Sequence, residues 1–85
     1  MLDIGDGAGA LVLRTAPNLS GQEIEIASAE TGRRTHVWVL PRIVGSTTLH
    51  AAVFGGLPPG DYSVPSDDGT ITVRVVAGVV TEVSL

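Results

Sequence analysis

The chain has no cysteine and no lysine, and only one tryptophan, one tyrosine and one phenylalanine in 85 residues. Without cysteine there is no disulfide framework and no thiolate metal site, a composition that suits a reducing compartment. Without lysine, every basic side chain is an arginine: Arg14, Arg33, Arg34, Arg42 and Arg74. Five arginines against nine acids leave a formal charge of −4. A nucleic-acid partner calls for the opposite balance, so DNA and RNA are not expected. No apolar run approaches the roughly 18 residues that cross a bilayer as a helix, so no membrane span is expected. The opening residues lack the basic and apolar regions of a signal peptide. The expectation is a cytoplasmic protein, or a secreted one if this stretch belongs to a longer chain.

What is present is apolar and β-branched. Hydrophobic residues make up 44% of the chain, and mean hydropathy is +0.35. A domain this small buries only about 60% of the surface its unfolded chain exposes. Some of that apolar side-chain surface must therefore stay outside, where a partner can cover it.

The periodicity is that of strands. Residues 22–28, QEIEIAS, set Ile24 and Ile26 on one face against Glu23 and Glu25 on the other. Similar segments fall at 10–15, 35–44, 47–54, 61–64, 70–76 and 79–85, separated by glycine-bearing turns at 30–34, Gly45-Ser46, 66–69 and Ala77-Gly78. Pro41 lacks a backbone donor and belongs on an edge or at a bulge. The last two segments read as a hairpin around Ala77-Gly78. Seven short strands at regular spacing predict a single all-β domain over residues 1–85, an antiparallel Greek-key β-sandwich, with 1–8 as a flexible lead-in.

The stretch GGLPPGDYSV, residues 55–64, reads as a corner of that sandwich. Pro59 and Gly60 suit the central positions of a type II turn, the second of which needs positive φ. Leu57 and Tyr62 flank the turn and are expected to fold into the core. The tyrosine hydroxyl is then free to bond nearby backbone, as at the tyrosine corners of sandwich folds.

Phe54, Leu57, Pro58, Gly60, Tyr62, Gly78 and Val83 give an aromatic, a Leu-Pro-x-Gly-x-Tyr corner, a glycine turn and a valine-rich final strand. This pattern resembles the second half of a carboxypeptidase regulatory-like domain of the transthyretin-like (prealbumin-like) sandwich type. The match covers residues 51–85; over 10–50 only strand order agrees. The whole chain also resembles short actinobacterial proteins of about this length. The resemblance implies a seven-strand sandwich serving as an accessory or interaction module; it implies neither catalysis nor a specific ligand, and no cofactor or metal is expected. A related enzyme group, the transthyretin-like hydroxyisourate hydrolases, carries an early histidine and a C-terminal Tyr-Arg-Gly-Ser. This chain has neither and ends TEVSL.

Chemistry-bearing clusters are few. Residues 5–9, GDGAG, lack the lysine of a phosphate-binding loop. Asp3, Asp6, Asp67 and Asp68 sit in glycine-rich turns, too few and too close for a calcium loop. A two-residue turn at Gly45-Ser46 pairs Val44 with Thr47 and, continued, sets Trp38 opposite Val53 and Val39 opposite Ala52. In that register His36 shares a face with Trp38 and His50 takes the other, so the two histidines do not converge on a metal. No serine or threonine has a base and orienter beside it, and no enzyme activity is expected.

The same register makes the 35–54 hairpin apolar on both faces. Val37, Val39, Ala52 and Phe54 form the core stripe. Trp38, Leu40, Leu49, Ala51 and Val53 form the other, rimmed by Arg42. Tryptophan and arginine are the types that anchor interfaces. The expected function is a β-sandwich interaction module, homodimerising or docking on a larger protein through this stripe. The alternative is a small-ligand or carbohydrate module, with Trp38 as stacking platform and Arg33, Arg34 and Arg42 as polar contacts. A different register, or an N-terminal segment folded over the stripe through Leu2 and Ile4, would remove the exposed face.

Overall fold

The computed structural model describes residues 7–67 and 69–85. They form eight strands: β1 (Gly9–Thr15), β2 (Glu23–Ser28), β3 (Arg34–Trp38), β4 (Leu40–Val44), β5 (Thr47–Leu57), β6 (Gly60–Ser66), β7 (Gly69–Val75) and β8 (Val80–Ser84), with a single 3-10 turn at Pro17–Leu19. The strands make two four-stranded sheets, β4-β5-β1-β8 and β3-β2-β6-β7, packed as a sandwich. No helix among the described residues is long and apolar enough to cross a membrane. The segment carrying Leu2 and Ile4 lies outside the described residues, as do Asp3, Asp6 and Asp68. Of the expected flexible lead-in, Gly7 and Ala8 are described, and the Ala8 carbonyl accepts a hydrogen bond from Gly78 N–H at 2.8 Å.

The eighth strand arises because segment 35–44 is not one strand of one sheet. Its first part, β3, pairs with β2, placing Trp38 opposite Glu23. Val39 still bonds that side, donating to the Gln22 carbonyl and accepting from Gly21 N–H, each at 2.8 Å. From Leu40 the chain bonds the opposite side, as β4 paired with β5, with Leu40 opposite Ala51 and Val44 opposite Thr47. Successive residues of an extended chain present their backbone groups to opposite edges. One unbroken strand can therefore leave one sheet and join the other with no turn residue. Val39 is the pivot: its side chain points into the core, fully buried.

Two further expectations are corrected. Segments 70–76 and 79–85 do not form a hairpin. β7 pairs with β6 in the second sheet, and β8 pairs with β1 in the first. The four residues between them cross the sandwich edge, held by Ala10 N–H on the Val79 carbonyl at 3.1 Å and by the Gly78–Ala8 bond. That crossing makes β8 run parallel to β1, so one pair of neighbours is parallel and the sandwich is not wholly antiparallel.

The core lies between the sheets. Leu11 and Leu13 from β1, Ala52, Phe54 and Leu57 from β5, Ile24 and Ile26 from β2, Tyr62 and Val64 from β6, and Val73 and Val75 from β7 close around Val39. Along β1, β2, β5, β6 and β7 inward apolar residues alternate with outward ones, as a sandwich requires. The corner after β5 carries the chain from the first sheet to the second. Leu57 and Tyr62 are both buried there, and the Tyr62 hydroxyl donates to the Pro58 carbonyl at 2.6 Å. Gly60 has φ of +143°, wider than the roughly +80° of a type II turn. It is already extended, the first residue of β6 and opposite Val75.

Candidate functional site

The outer faces of the two sheets differ in character. On the second sheet the outward side chains of β2, β3, β6 and β7 include Glu23, Glu25, Arg34, His36, Asp61 and Arg74. They pair across strands: Glu25 with Arg34 at 3.9 Å, Glu23 with His36 at 3.6 Å, and Asp61 with Arg74 at 3.1 Å. This is an ordinary solvated face. On the first sheet the outward residues are Leu40 and Arg42 from β4, Leu49, Ala51 and Val53 from β5, Val12 and Arg14 from β1, and Val80 and Glu82 from β8. Among the described residues it carries one ion pair, Arg14 with Glu82 at 3.5 Å. A sandwich sheet with one solvated face normally turns polar residues outward; this one turns out leucine and valine.

The structure therefore brings together Leu40, Arg42, Leu49, Ala51 and Val53 and separates Trp38 from them. The separation is the consequence of the Val39 pivot. Trp38, 56% exposed, stands on the outer face of the second sheet beside Glu23, at the corner where the strand leaves for the first. Leu40, two residues on, is 47% exposed on the outer face of the first sheet. Extended backbone separates their Cα atoms by roughly 6.5 Å, so tryptophan flanks the apolar face without standing in its centre. Ala51 contributes floor rather than contact. It is only 4% exposed, its small side chain lying between its strand partners Leu40 and Arg14.

The β4–β5 hairpin also extends the surface beyond the residues singled out from the sequence. All of β4 is exposed, and Ile43, at 80%, and Val44 are among the most exposed large apolar side chains described. The signal was in the sequence: adjacent Ile43 and Val44 point to opposite sides of a strand, so one core cannot take both. Pro41 is on the outermost strand of its sheet, as a missing donor demands. Val44 and Thr47 close the two-residue turn as a bonded pair, so residues 42 and 40 also bond β5, and 41 and 43 face the free edge. Proline there leaves Ile43 as the sole donor along that edge of β4, which disfavours addition of another strand. The available surface is the face, not the edge.

The remaining candidates are dispersed. Arg33 just precedes β3 and Trp38 ends it, roughly 16 Å apart by strand rise, so a small ligand stacked on Trp38 does not reach Arg33. His36 is on the outer face of the second sheet. His50 is on the inward side of β5, opposite Thr15 and Pro41, and its Nδ1 is buried with no hydrogen-bond partner among the described residues. Among the described residues no group of three or more histidine, cysteine or acidic side chains is placed to hold a metal ion.

Among the described residues, a groove lies at each end of the sandwich. One, about 310 Å³, is bordered by Ala16, Leu19, Gln22, Ser66 and Leu85. The other, about 350 Å³, lies between the β2–β3 loop and the 55–59 corner and is bordered by Glu30, Thr31, Arg33, Pro58, Pro59 and Tyr62. Burial pushes the Tyr62 phenol above its ordinary value; the Glu30 carboxylate pushes it further and the Arg33 guanidinium pulls partly back.

Comparison with protein-family models, with curated proteins and with solved structures finds no match.

Proposed function

We propose that this chain is a non-enzymatic interaction module that self-associates through the outer face of the β4-β5-β1-β8 sheet. The observation that carries the reading is the contrast between the two faces: paired charges on one sheet, and Leu40, Leu49, Val53, Val12 and Val80 on the other. The molecule measures 36 by 29 Å across its broad dimensions, room for the roughly 800 Å² per partner of a standard interface.

Charge favours a second copy as occupant. The chain is acidic overall, yet the described outward charges of this face are Arg14, Arg42 and Glu82. Glu23, Glu25 and Asp61 are on the opposite sheet, so face-to-face association keeps the acids of two copies apart. Arg42 at the hairpin and Trp38 at the corner supply the rim. Docking on a larger protein would use the same surface. The buried Phe54–Leu57–Tyr62 corner supports placing the module among transthyretin-like, carboxypeptidase regulatory-like Greek-key sandwiches, and its cysteine-free composition suits the cytoplasm.

The test is a pair of charge substitutions compared with the native chain by analytical ultracentrifugation. Leu40→Asp should weaken association at least tenfold without unfolding the chain, whereas Glu23→Gln on the other sheet should leave it unchanged. Equal effects from both, or none from Leu40→Asp, would remove the face from the account.

A further inference from the structure

The groove between the β2–β3 loop and the 55–59 corner presents opposite charges that do not neutralise each other. Glu30 and Arg33 both border it, and neither is in an ion pair among the described residues. The loop that carries them is held by its own hydrogen bonds. Ser28 Oγ accepts from Glu30 N–H at 3.3 Å and Thr31 N–H at 3.2 Å. Thr31 Oγ1 accepts from Arg33 N–H at 3.2 Å. Gly32 N–H bonds the Ser28 carbonyl at 2.8 Å, and Ser28 N–H the Arg33 carbonyl at 2.9 Å.

The facing wall is also fixed. The Tyr62 phenol is anchored by its bond to Pro58, and Pro58 and Pro59 add rigid apolar rings. Gly60 leaves space for the acid: a Cβ there would stand 3.0 Å from Glu30 Oε1. Both charges also reach the Tyr62 phenol electrostatically, with opposite effects. The volume of about 350 Å³ is at the lower end of the range for small-molecule pockets.

We infer that this groove is a binding site for a small zwitterion, whose ammonium meets the Glu30 carboxylate and whose carboxylate meets the Arg33 guanidinium, with the proline rings and Tyr62 as the apolar wall between them. A single anion or cation satisfies only one pole; a zwitterion with the right separation satisfies both through charge-assisted hydrogen bonds. The site lies between loops at the opposite end of β5 from the hairpin tip.

The experiment is an NMR titration of the intact chain with a homologous series of ω-amino acids: glycine, β-alanine, 4-aminobutyrate and 6-aminohexanoate. Butyrate and butylamine serve as single-charge controls. One member of the series should give saturable amide shifts confined to residues 28–33 and 55–62, and the controls none at equal concentration. Glu30→Gln and Arg33→Gln should each weaken that binding about tenfold or more, with unchanged far-UV circular dichroism. No saturable shift across the series, an equal response to either control, or undiminished binding by both variants would overturn the assignment.

Discussion

Replacing Val39 with alanine tests the sheet-crossing strand most sharply, because its neighbours should behave so differently. Val39 is fully buried between two exposed residues, Trp38 and Leu40. Removing two methyl groups from the core forfeits about 1.6 kcal/mol of transfer free energy at roughly 0.8 kcal/mol per carbon. A cavity at the junction of two sheets, where neither can close independently, adds a few tenths more. The expected loss is about 2 kcal/mol, or a Tm drop of roughly 8–16 °C for a domain of this size. Trp38→Ala and Leu40→Ala should each stay within about 0.5 kcal/mol, despite removing far larger side chains. Urea unfolding followed by circular dichroism, at concentrations low enough that association adds nothing, gives all three values. If Trp38→Ala proves costlier than Val39→Ala, tryptophan is in the core and the pivot is misplaced.

Three other substitutions probe separate parts of the fold. Tyr62→Phe removes the 2.6 Å bond to Pro58 and should cost about 1 kcal/mol near neutral pH in thermal unfolding. The folded-state pKa of this phenol is raised, so the stability it contributes is complete below the unfolded value near 10 and is lost as pH rises through the folded one. The native chain should therefore lose stability in that alkaline range and Tyr62→Phe should lose less; parallel pH profiles would refute the point. Gly9→Ala would bring a Cβ within 2.4 Å of the Val76 carbonyl oxygen and 2.7 Å of Val75 Cγ1; displacing that backbone should cost about 1–3 kcal/mol in chemical denaturation. His50→Leu eliminates a buried nitrogen with no partner among the described residues and should raise stability by up to about 1 kcal/mol, whereas a marked loss would mean that His50 Nδ1 has a bonding partner.

Much of the architecture was legible because period-two alternation survives in a small sandwich. Glu23 and Glu25 against Ile24 and Ile26 located both faces of β2. The Gly45-Ser46 turn correctly set the β4–β5 register from Val44 to Leu40. The burial of Leu57 and Tyr62 followed from the proline-glycine corner. What escaped was the sheet to which a strand belongs. Alternation records whether a side chain faces in or out, and Val39 faces in whether its backbone bonds β2 or β5. The split into β3 and β4 thus left no trace in the pattern, and Trp38 was assigned to the wrong sheet. Ala77-Gly78 likewise announced a reversal, but turn chemistry does not say whether the chain returns beside its predecessor or crosses to the other layer. The groove at Glu30 and Arg33 was hidden for a different reason: its walls come from loops more than twenty residues apart, which only the packed sheets bring together.

The central claim is that the apolar face of the β4-β5-β1-β8 sheet is covered by a second copy. Light scattering behind a sizing column, over a dilution series of the native chain, tests it directly. The account predicts twice the monomer mass at the higher concentrations, falling to the monomer on dilution. A monomer mass of 8.7 kDa throughout the series would contradict it.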